Sequence, residues 1–319
     1  MRIFVTGAGG FIGRNVTRRL IADGHRVTAL LMPREPDPFS GVEIARGDLV
    51  ADGRLAPLFE GHDAVVHLAG AVGFQTWKAC REVNVEGTRR VARAAAVAGV
   101  KRFVHMSSVS VYGRVPDLPL TEESPMKAIG DPYGDTKIEA ERIVREFEAS
   151  AGLRLTVLRP TVVYGRRDRK FALNLIALVR GGKAAFPGDG RNRVDLVHVD
   201  DVADLVSLVL RSPASEGRTY NVAHPDNPSL NELVRELARL MDVPLRVRYL
   251  PFPLAFAAAS LAEGAARLTG KAPRLNRYSV RVIGRNYSYI VDRVEKELGF
   301  RPRVGLFEGI KDVLEHELE

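Results

Sequence analysis

Arg2-Ile3-Phe4-Val5-Thr6 leads without a break into Gly7-Ala8-Gly9-Gly10-Phe11-Ile12-Gly13, and an amphipathic run continues to about Ala22. A short apolar, β-branched run is the pattern of a strand buried on both faces. Glycines at 7, 10 and 13 permit a tight turn and let backbone approach a pyrophosphate, which helix N-terminal amides attract. The stretch therefore predicts a strand, a phosphate-cradling turn and a helix.

Outward from it, Asp23-Gly24-His25 ends the helix and Arg26–Leu31 reads as a second strand. Residues 42–45, 64–68, 102–106 and 155–158 are further strand candidates, with helices near 85–98 and 133–150 between the later ones. Strand and helix alternating in this way imply right-handed crossovers and an α/β, Rossmann-type doubly wound parallel sheet. From about 160 the rhythm changes, with Pro187-Gly188-Asp189-Gly190 and helices at 169–181, 200–211 and 229–241. We expect a dinucleotide-binding domain over 1–165, further elements of it returning at about 190–225, and a smaller, mainly substrate-binding lobe within 166–319.

Composition closes other routes. The chain has 319 residues, 45% hydrophobic and 27% charged, enough for one large α/β domain with an appendage. A single cysteine, Cys80, excludes a disulfide scaffold and a thiolate zinc cluster. The net charge is +8, but its 38 Arg and 9 Lys are spread along the chain, so no nucleic acid partner is expected. Only 267–285 stands out, carrying Arg267, Lys271, Arg274, Arg277, Arg281 and Arg285 with no acid. It reads as a solvated face, or as one that meets a substrate phosphate or an acidic membrane surface. The opening residues carry no leader pattern and no apolar run reaches membrane-spanning length, so a cytoplasmic protein is expected. The apolar helix near 252–268 suits packing, a cover over a hydrophobic substrate, or a membrane surface. Gly182-Lys183 lacks the spacing of a Walker loop. His67, His105 and His198 lack ligand spacing, so no metal is expected. Asp200 and Asp201 read as caps of the following helix, and Trp77 as a loop residue lining a pocket or packing.

The glycine spacing resembles that of the extended short-chain dehydrogenase/reductase family, and motifs along the chain extend the likeness. They are Asp48-Leu49, Leu68-Ala69-Gly70, Asn84-Val85-Glu86-Gly87-Thr88, Met106-Ser107-Ser108, Tyr133-Gly134-Asp135-Thr136-Lys137, Arg159-Pro160-Thr161-Val162-Val163-Tyr164-Gly165 and His198-Val199-Asp200-Asp201. By this resemblance Gly7, Gly9, Gly10, Phe11, Ile12, Gly13, Leu31, Arg34, Asp48, Leu49, Leu68, Ala69, Gly70, Asn84, Met106, Pro160 and Val163, with Tyr133 and Lys137, line the cofactor site. It implies Ser108, Tyr133 and Lys137 as the catalytic set, with Ser107 and Ser110 as alternatives to Ser108. It also implies a homodimer through the helices at 85–98 and 133–150, although the alanines of 91–98 suit burial within one subunit equally well.

The chemistry of that set is readable. Residues four apart share a helix face, so Tyr133 and Lys137 reach one pocket. A free phenol titrates near ~10, and a neighbouring ammonium favours the phenolate. Such a phenol exchanges a proton with a substrate hydroxyl or carbonyl oxygen, which a serine hydroxyl polarises.

The position where family relatives commonly carry an acid after the second strand is Leu31, followed by Met32, with Arg34 and Arg14 nearby. A missing acid and available arginines favour NADP over NAD. Val162 and Val194 stand where sugar-nucleotide enzymes usually place Asn and Arg, and the tail resembles the 3β-hydroxysteroid dehydrogenase-like and dihydroflavonol reductase-like branch. The expectation is an NAD(P)-dependent oxidoreductase acting on a secondary alcohol or ketone of a fairly apolar small molecule. The alternatives are a nucleotide-sugar 4-epimerase or dehydratase with tightly held NAD, in which Arg193 or the 267–285 cluster replaces the missing phosphate contacts, and a non-catalytic dinucleotide-sensing regulator.

Overall fold

The computed structural model describes residues 1–51, 55–72, 75–113, 118–168, 171–225, 228–269 and 276–318. Seven strands form one sheet: β1 (Arg2–Thr6), β2 (Arg26–Leu31), β3 (Glu43–Arg46), β4 (Ala64–His67), β5 (Arg102–Met106), β6 (Arg154–Pro160) and β7 (Arg218–Val222). Their order is β3-β2-β1-β4-β5-β6-β7, and every neighbouring pair is parallel. The chain winds outward from β1 in one direction and from β4 in the other. A crevice therefore opens at the C-terminal ends of these two strands, where a Rossmann sheet binds its ligand.

The named helices are α1 (Phe11–Ala22), α2 (Thr88–Val97), α3 (Pro132–Ala151), α4 (Phe171–Arg180), α5 (Val199–Arg211), α6 (Leu230–Leu240), α7 (Phe252–Thr269), α8 (Arg277–Gly284) and α9 (Leu306–Leu318). Successive strand residues point to opposite faces. Ile3, Val5 and Val66 meet Val16 and Leu20 of α1 and Val202, Leu205 and Val209 of α5. Phe4, Val65 and Phe103 meet Val91, Ala92 and Ala95 of α2 and Val144 of α3. Ala92, Ala94 and Ala95 of α2 are thus buried within the chain, while Ala96 is only partly so. A separate apolar cluster joins Leu175 and Val179 of α4, Leu233 and Leu237 of α6 and Ile310 and Val313 of α9. One face of α7 packs Ala255 and Ala259 on Val280 of α8. On its other face Leu254 and Leu261 are 65% and 78% exposed.

Of the basic segment, Lys271, Arg274 and the side chain of Arg267 lie outside the described residues. Arg277 pairs with Glu263 at 2.7 Å, while Arg285 and Arg281 lie over the rings of Phe252 and Phe256 at 4.2 and 5.1 Å. Among the described residues no helix is long and apolar enough to cross a membrane.

The structure corrects two local readings. Asp200 and Asp201 do not cap α5. The N-cap is His198, whose ring nitrogen Nδ1 accepts the Asp200 N–H at 3.3 Å. Asp201, 1% exposed, accepts the backbone N–H groups of Arg303 and Val304 at 2.7 and 3.3 Å, tying the C-terminal segment to α5. Trp77 begins a short helix, Trp77–Cys80, that runs into a π-helical turn at Arg81–Gly87, and its side chain is largely exposed.

Candidate active site

The glycine turn closes on itself for steric reasons. Gly7 has φ +68°, and a Cβ there would lie 2.6 Å from the backbone nitrogen of Ala69, in the loop after β4. A Cβ on Gly13 would overlap the Gly7 carbonyl oxygen. Gly10 donates its N–H to that same oxygen at 3.0 Å and serves as N-cap of α1 without any side-chain cap. Bare backbone and an uncapped helix N-terminus, with Phe11 and Ile12 half-buried beside them, are what a diphosphate requires. The residues present therefore fit a dinucleotide.

At the end of β2 the expected position is buried. Leu31 is 1% exposed and belongs to the core. The next residues fold back, with Glu35 N–H on the Met32 carbonyl at 3.0 Å and Glu35 Oε2 accepting the Met32 N–H at 3.2 Å. This places the Glu35 carboxylate directly over Gly9, where a glycine Cβ would fall. Arg34 is exposed, and Arg14 donates from Nε to the Gly9 carbonyl at 2.7 Å. Asp48 caps its own turn through the Val50 N–H at 2.8 Å, and Leu49 is buried against Gly87 and held by Arg90, which donates to its carbonyl at 2.7 Å.

Past the crevice, Leu68, Ala69 and Gly70 run half-buried toward α3. Asn84, 1% exposed in the π-helical turn, accepts the Ala71 N–H at 2.7 Å and donates to the Ala71 carbonyl at 3.2 Å and the Thr136 hydroxyl at 3.0 Å. It ties the loop to α3 from beneath. A Cβ on Gly70 would lie 3.3 Å from both Asn84 Oδ1 and Lys137 Nζ, so a side chain there would crowd the lysine. Lys137 donates to the Met106 carbonyl at 2.9 Å, and its burial lowers its pKa to about 8, against the raising effect of Glu141. Tyr133 lies one turn earlier on the same helix and is 7% exposed.

The three serines after β5 have different surroundings. Ser107 is buried and donates to the Glu141 carboxylate. Ser110 is buried, its hydroxyl without a hydrogen-bond partner. Ser108 is half-buried, and its hydroxyl oxygen accepts the Ser110 N–H at 3.2 Å, leaving its own O–H to donate to another acceptor. Lys137 thus reaches the end of β5, two residues before Ser108, and Gly134, next to Tyr133 on α3, lies against the Ser110 carbonyl.

On the far side, Pro160 is buried, and Val163 is half-buried in the short strand Val162–Tyr164, which pairs with Leu196–His198. Val194 is buried at 3% exposure. Arg193, with Arg191, Asn192, Arg285 and Asn286, lines a cavity of about 430 Å³. No group of three or more His, Cys, Asp or Glu able to hold a metal exists among the described residues. His67 is bound between the hydroxyls of Thr6 and Thr88 at 2.7 and 2.9 Å and is held down to about 3 by burial; His105 stacks on it at 5.5 Å.

Sequence reasoning set Glu35 and Asp37 aside as too late after the strand, gave Arg159 no role beyond its motif, and missed Glu141. Glu141 is four residues beyond Lys137, a helical spacing that marks it as a neighbour of the lysine. Glu35 was legible only as an acid four residues past the strand end.

Residues 3–223 match the model of the NAD-dependent epimerase/dehydratase family. The chain belongs to that family. Its relatives within it differ in reaction. A 2-alkyl-3-oxoalkanoate reductase of Stenotrophomonas maltophilia is 29% identical, covering 98% of each chain. A UDP-glucose 4-epimerase of Mycolicibacterium smegmatis is 30% identical, covering 99% of this chain and 98% of that one. Among solved structures, MoeE5 with UDP-glucuronic acid and NAD superposes with a TM-score of 0.81 at 30% identity, over 100% of this chain and 99% of that one. Enzymes of the family are NAD-dependent oxidoreductases or epimerases, and this chain carries the same NAD-binding Rossmann fold.

Proposed function

We propose that this family member is a dehydrogenase/reductase that interconverts a secondary alcohol and a ketone on a fairly apolar small molecule. What supports the reading is that Tyr133 and Lys137 lie one turn apart on α3, with Lys137 on the Met106 carbonyl two residues before Ser108, and that Val162 and Val194 stand where sugar-nucleotide enzymes usually place Asn and Arg. The glycine loop, Ala69, Gly70 and Lys137 would hold the dinucleotide, which when bound supplies or accepts a hydride. The Ser108 hydroxyl donates a hydrogen bond to the substrate oxygen, keeping its own proton, and so stabilises the negative charge that develops there. On reduction Tyr133 gives its phenolic proton to that oxygen, and on oxidation it takes the hydroxyl proton back. Lys137, cationic below about pH 8, favours the phenolate.

For cofactor choice we infer NAD rather than the NADP that the bare end of β2 suggests. A carboxylate accepts ribose hydroxyls and repels a 2′-phosphate; Glu35 over Gly9 supplies that carboxylate from an unexpected position. The 3-oxo acid named in the Stenotrophomonas reductase is the kind of substrate this site suits. Tyr133→Phe tests the reading: turnover of an identified ketone should fall at least a hundredfold with folding intact, and undiminished turnover would sink it.

One observation favours a second reading, a nucleotide-sugar 4-epimerase. Arg193 and Arg285, far apart in sequence, line one cavity with Arg191 and Asp189, and three guanidinium groups against one carboxylate leave positive charge that suits a diphosphate. Val194 and Val162 argue for the apolar substrate. Interconversion of UDP-sugars without net cofactor turnover would reverse the ranking.

A further inference from the structure

Behind the catalytic helix lies a charged group that the proposed chemistry does not use. Glu141 sits one turn beyond Lys137 on α3 and is 3% exposed. Arg159, at the end of β6 and 5% exposed, meets it with two parallel hydrogen bonds, Nε to Oε1 at 2.9 Å and Nη2 to Oε2 at 2.6 Å. Glu141 also accepts the hydroxyl of Ser107, the residue preceding Ser108. Arg159 continues to the Tyr112 hydroxyl at 2.8 Å, and Tyr112 donates to Asn221 Oδ1 at 2.7 Å. Asn221 in turn donates to the carbonyls of Leu120 and Ile290, both at 3.2 Å.

The parts of this network are the two walls of the site. Ser107 fixes the end of β5, from which Ser108 starts the turn Val109–Tyr112. Glu141 is rooted in the helix that carries Tyr133 and Lys137. A buried ion pair is not needed for stability, since apolar side chains of similar volume usually serve as well. Its placement between Ser107 and the Lys137 turn is therefore a reason to look for another role.

We propose that Glu141, held by Arg159, is a positioning residue that sets the Ser108 turn against Tyr133 and maintains the positive charge of Lys137. The inference rests on the catalytic reading of those three residues. Lys137 is faced by Glu141 on its own helix, by Cys80 of the short helix Trp77–Cys80, and by His67 and His105 of the sheet. Burial keeps both histidines neutral at ordinary pH and pushes the Cys80 thiol up. Glu141 is then the one full negative charge among these groups.

Lysine-selective NMR reads Lys137 directly in a chain with nine lysines, assigned by Lys137→Met. Lys137 should titrate near pH 8 in the wild type and at least about one unit lower in Glu141→Gln. That variant leaves Arg159 buried and unpaired, and it is expected to lose stability. The double variant Glu141→Gln/Arg159→Met removes both charges and should recover the melting temperature. It should nevertheless keep the lowered Lys137 titration and a kcat reduced tenfold or more, with KM little changed. If the double variant restores kcat and the Lys137 titration together with stability, the pair is structural and the proposal is wrong. A fully active Tyr133→Phe would instead overturn the catalytic reading beneath it, so the two failures are distinguishable.

Discussion

Replacing Glu35 by alanine should change which dinucleotide the protein prefers. The Glu35 carboxylate lies over Gly9 of the glycine turn, with its backbone pinned to Met32, where it would meet the adenosine ribose of a dinucleotide held by that turn. Hydrogen bonds from ribose hydroxyls to an ionised carboxylate contribute about 1.5–3 kcal/mol in total. A 2′-phosphate in their place meets like charge. At about 5 Å and an effective dielectric near 20, two unit charges repel by roughly 3 kcal/mol, less in a half-exposed site screened by salt. Together these give about 3–4 kcal/mol, a preference for NADH over NADPH of roughly a hundredfold to a thousandfold. Glu35→Ala removes both contributions and leaves Arg14 and Arg34 nearby, so the ratio should fall to within tenfold of unity. Fluorescence titration of each reduced dinucleotide into wild type and variant measures this. Wild-type protein that binds NADPH as tightly as NADH, or a variant with an unchanged ratio, would refute the reasoning.

Further outcomes follow from the same geometry. Gly13→Ala drives a methyl into the Gly7 carbonyl, where backbone cannot give way, so a loss of at least ~1–3 kcal/mol in denaturant unfolding and loss of dinucleotide binding are expected. Lys137 is depressed to about 8, so the unfolded chain holds its proton more firmly than the native one. This contribution makes stability rise with pH from about 8 toward ~10.4, and Lys137→Met should remove that slope from melting curves measured across the interval. His67, held down to about 3, acts in another window. Stability should be lost as pH falls from ~6.5 toward 3, less so in His67→Gln by acid titration of circular dichroism.

The parts of the fold carried by local pattern were legible. Arg2–Thr6 and Arg102–Met106 read as buried strands because their apolar runs are short and flanked by turn residues. Phe11–Ala22 follows from its period and from Asp23-Gly24 at its end. Arg218-Thr219-Tyr220-Asn221-Val222 was harder, because its polar Asn221 side chain is satisfied by long-range bonds to Tyr112, Leu120 and Ile290. The π-helical turn at Arg81–Gly87 has no period of its own to read. In the site, Tyr133 and Lys137 were marked out by the family resemblance, and their spacing of four puts them on one helix face. Glu35 was hidden, because a reversal of chain direction after Met32 brings it back over Gly9. Asp200 and Asp201 looked like caps because nothing local shows that His198 takes that place or that Arg303 lies opposite Asp201.

The central claim is net redox chemistry at Tyr133 on an apolar ketone. The direct measurement is absorbance at 340 nm after mixing the protein with NADH and a panel of 2-alkyl-3-oxo acids, alongside Tyr133→Phe and a parallel incubation with UDP-sugars. The account predicts continuous NADH consumption with at least one ketone, lost in the variant, and no change in the UDP-sugars. Epimerised UDP-sugar with no net NADH oxidation on any ketone would contradict it.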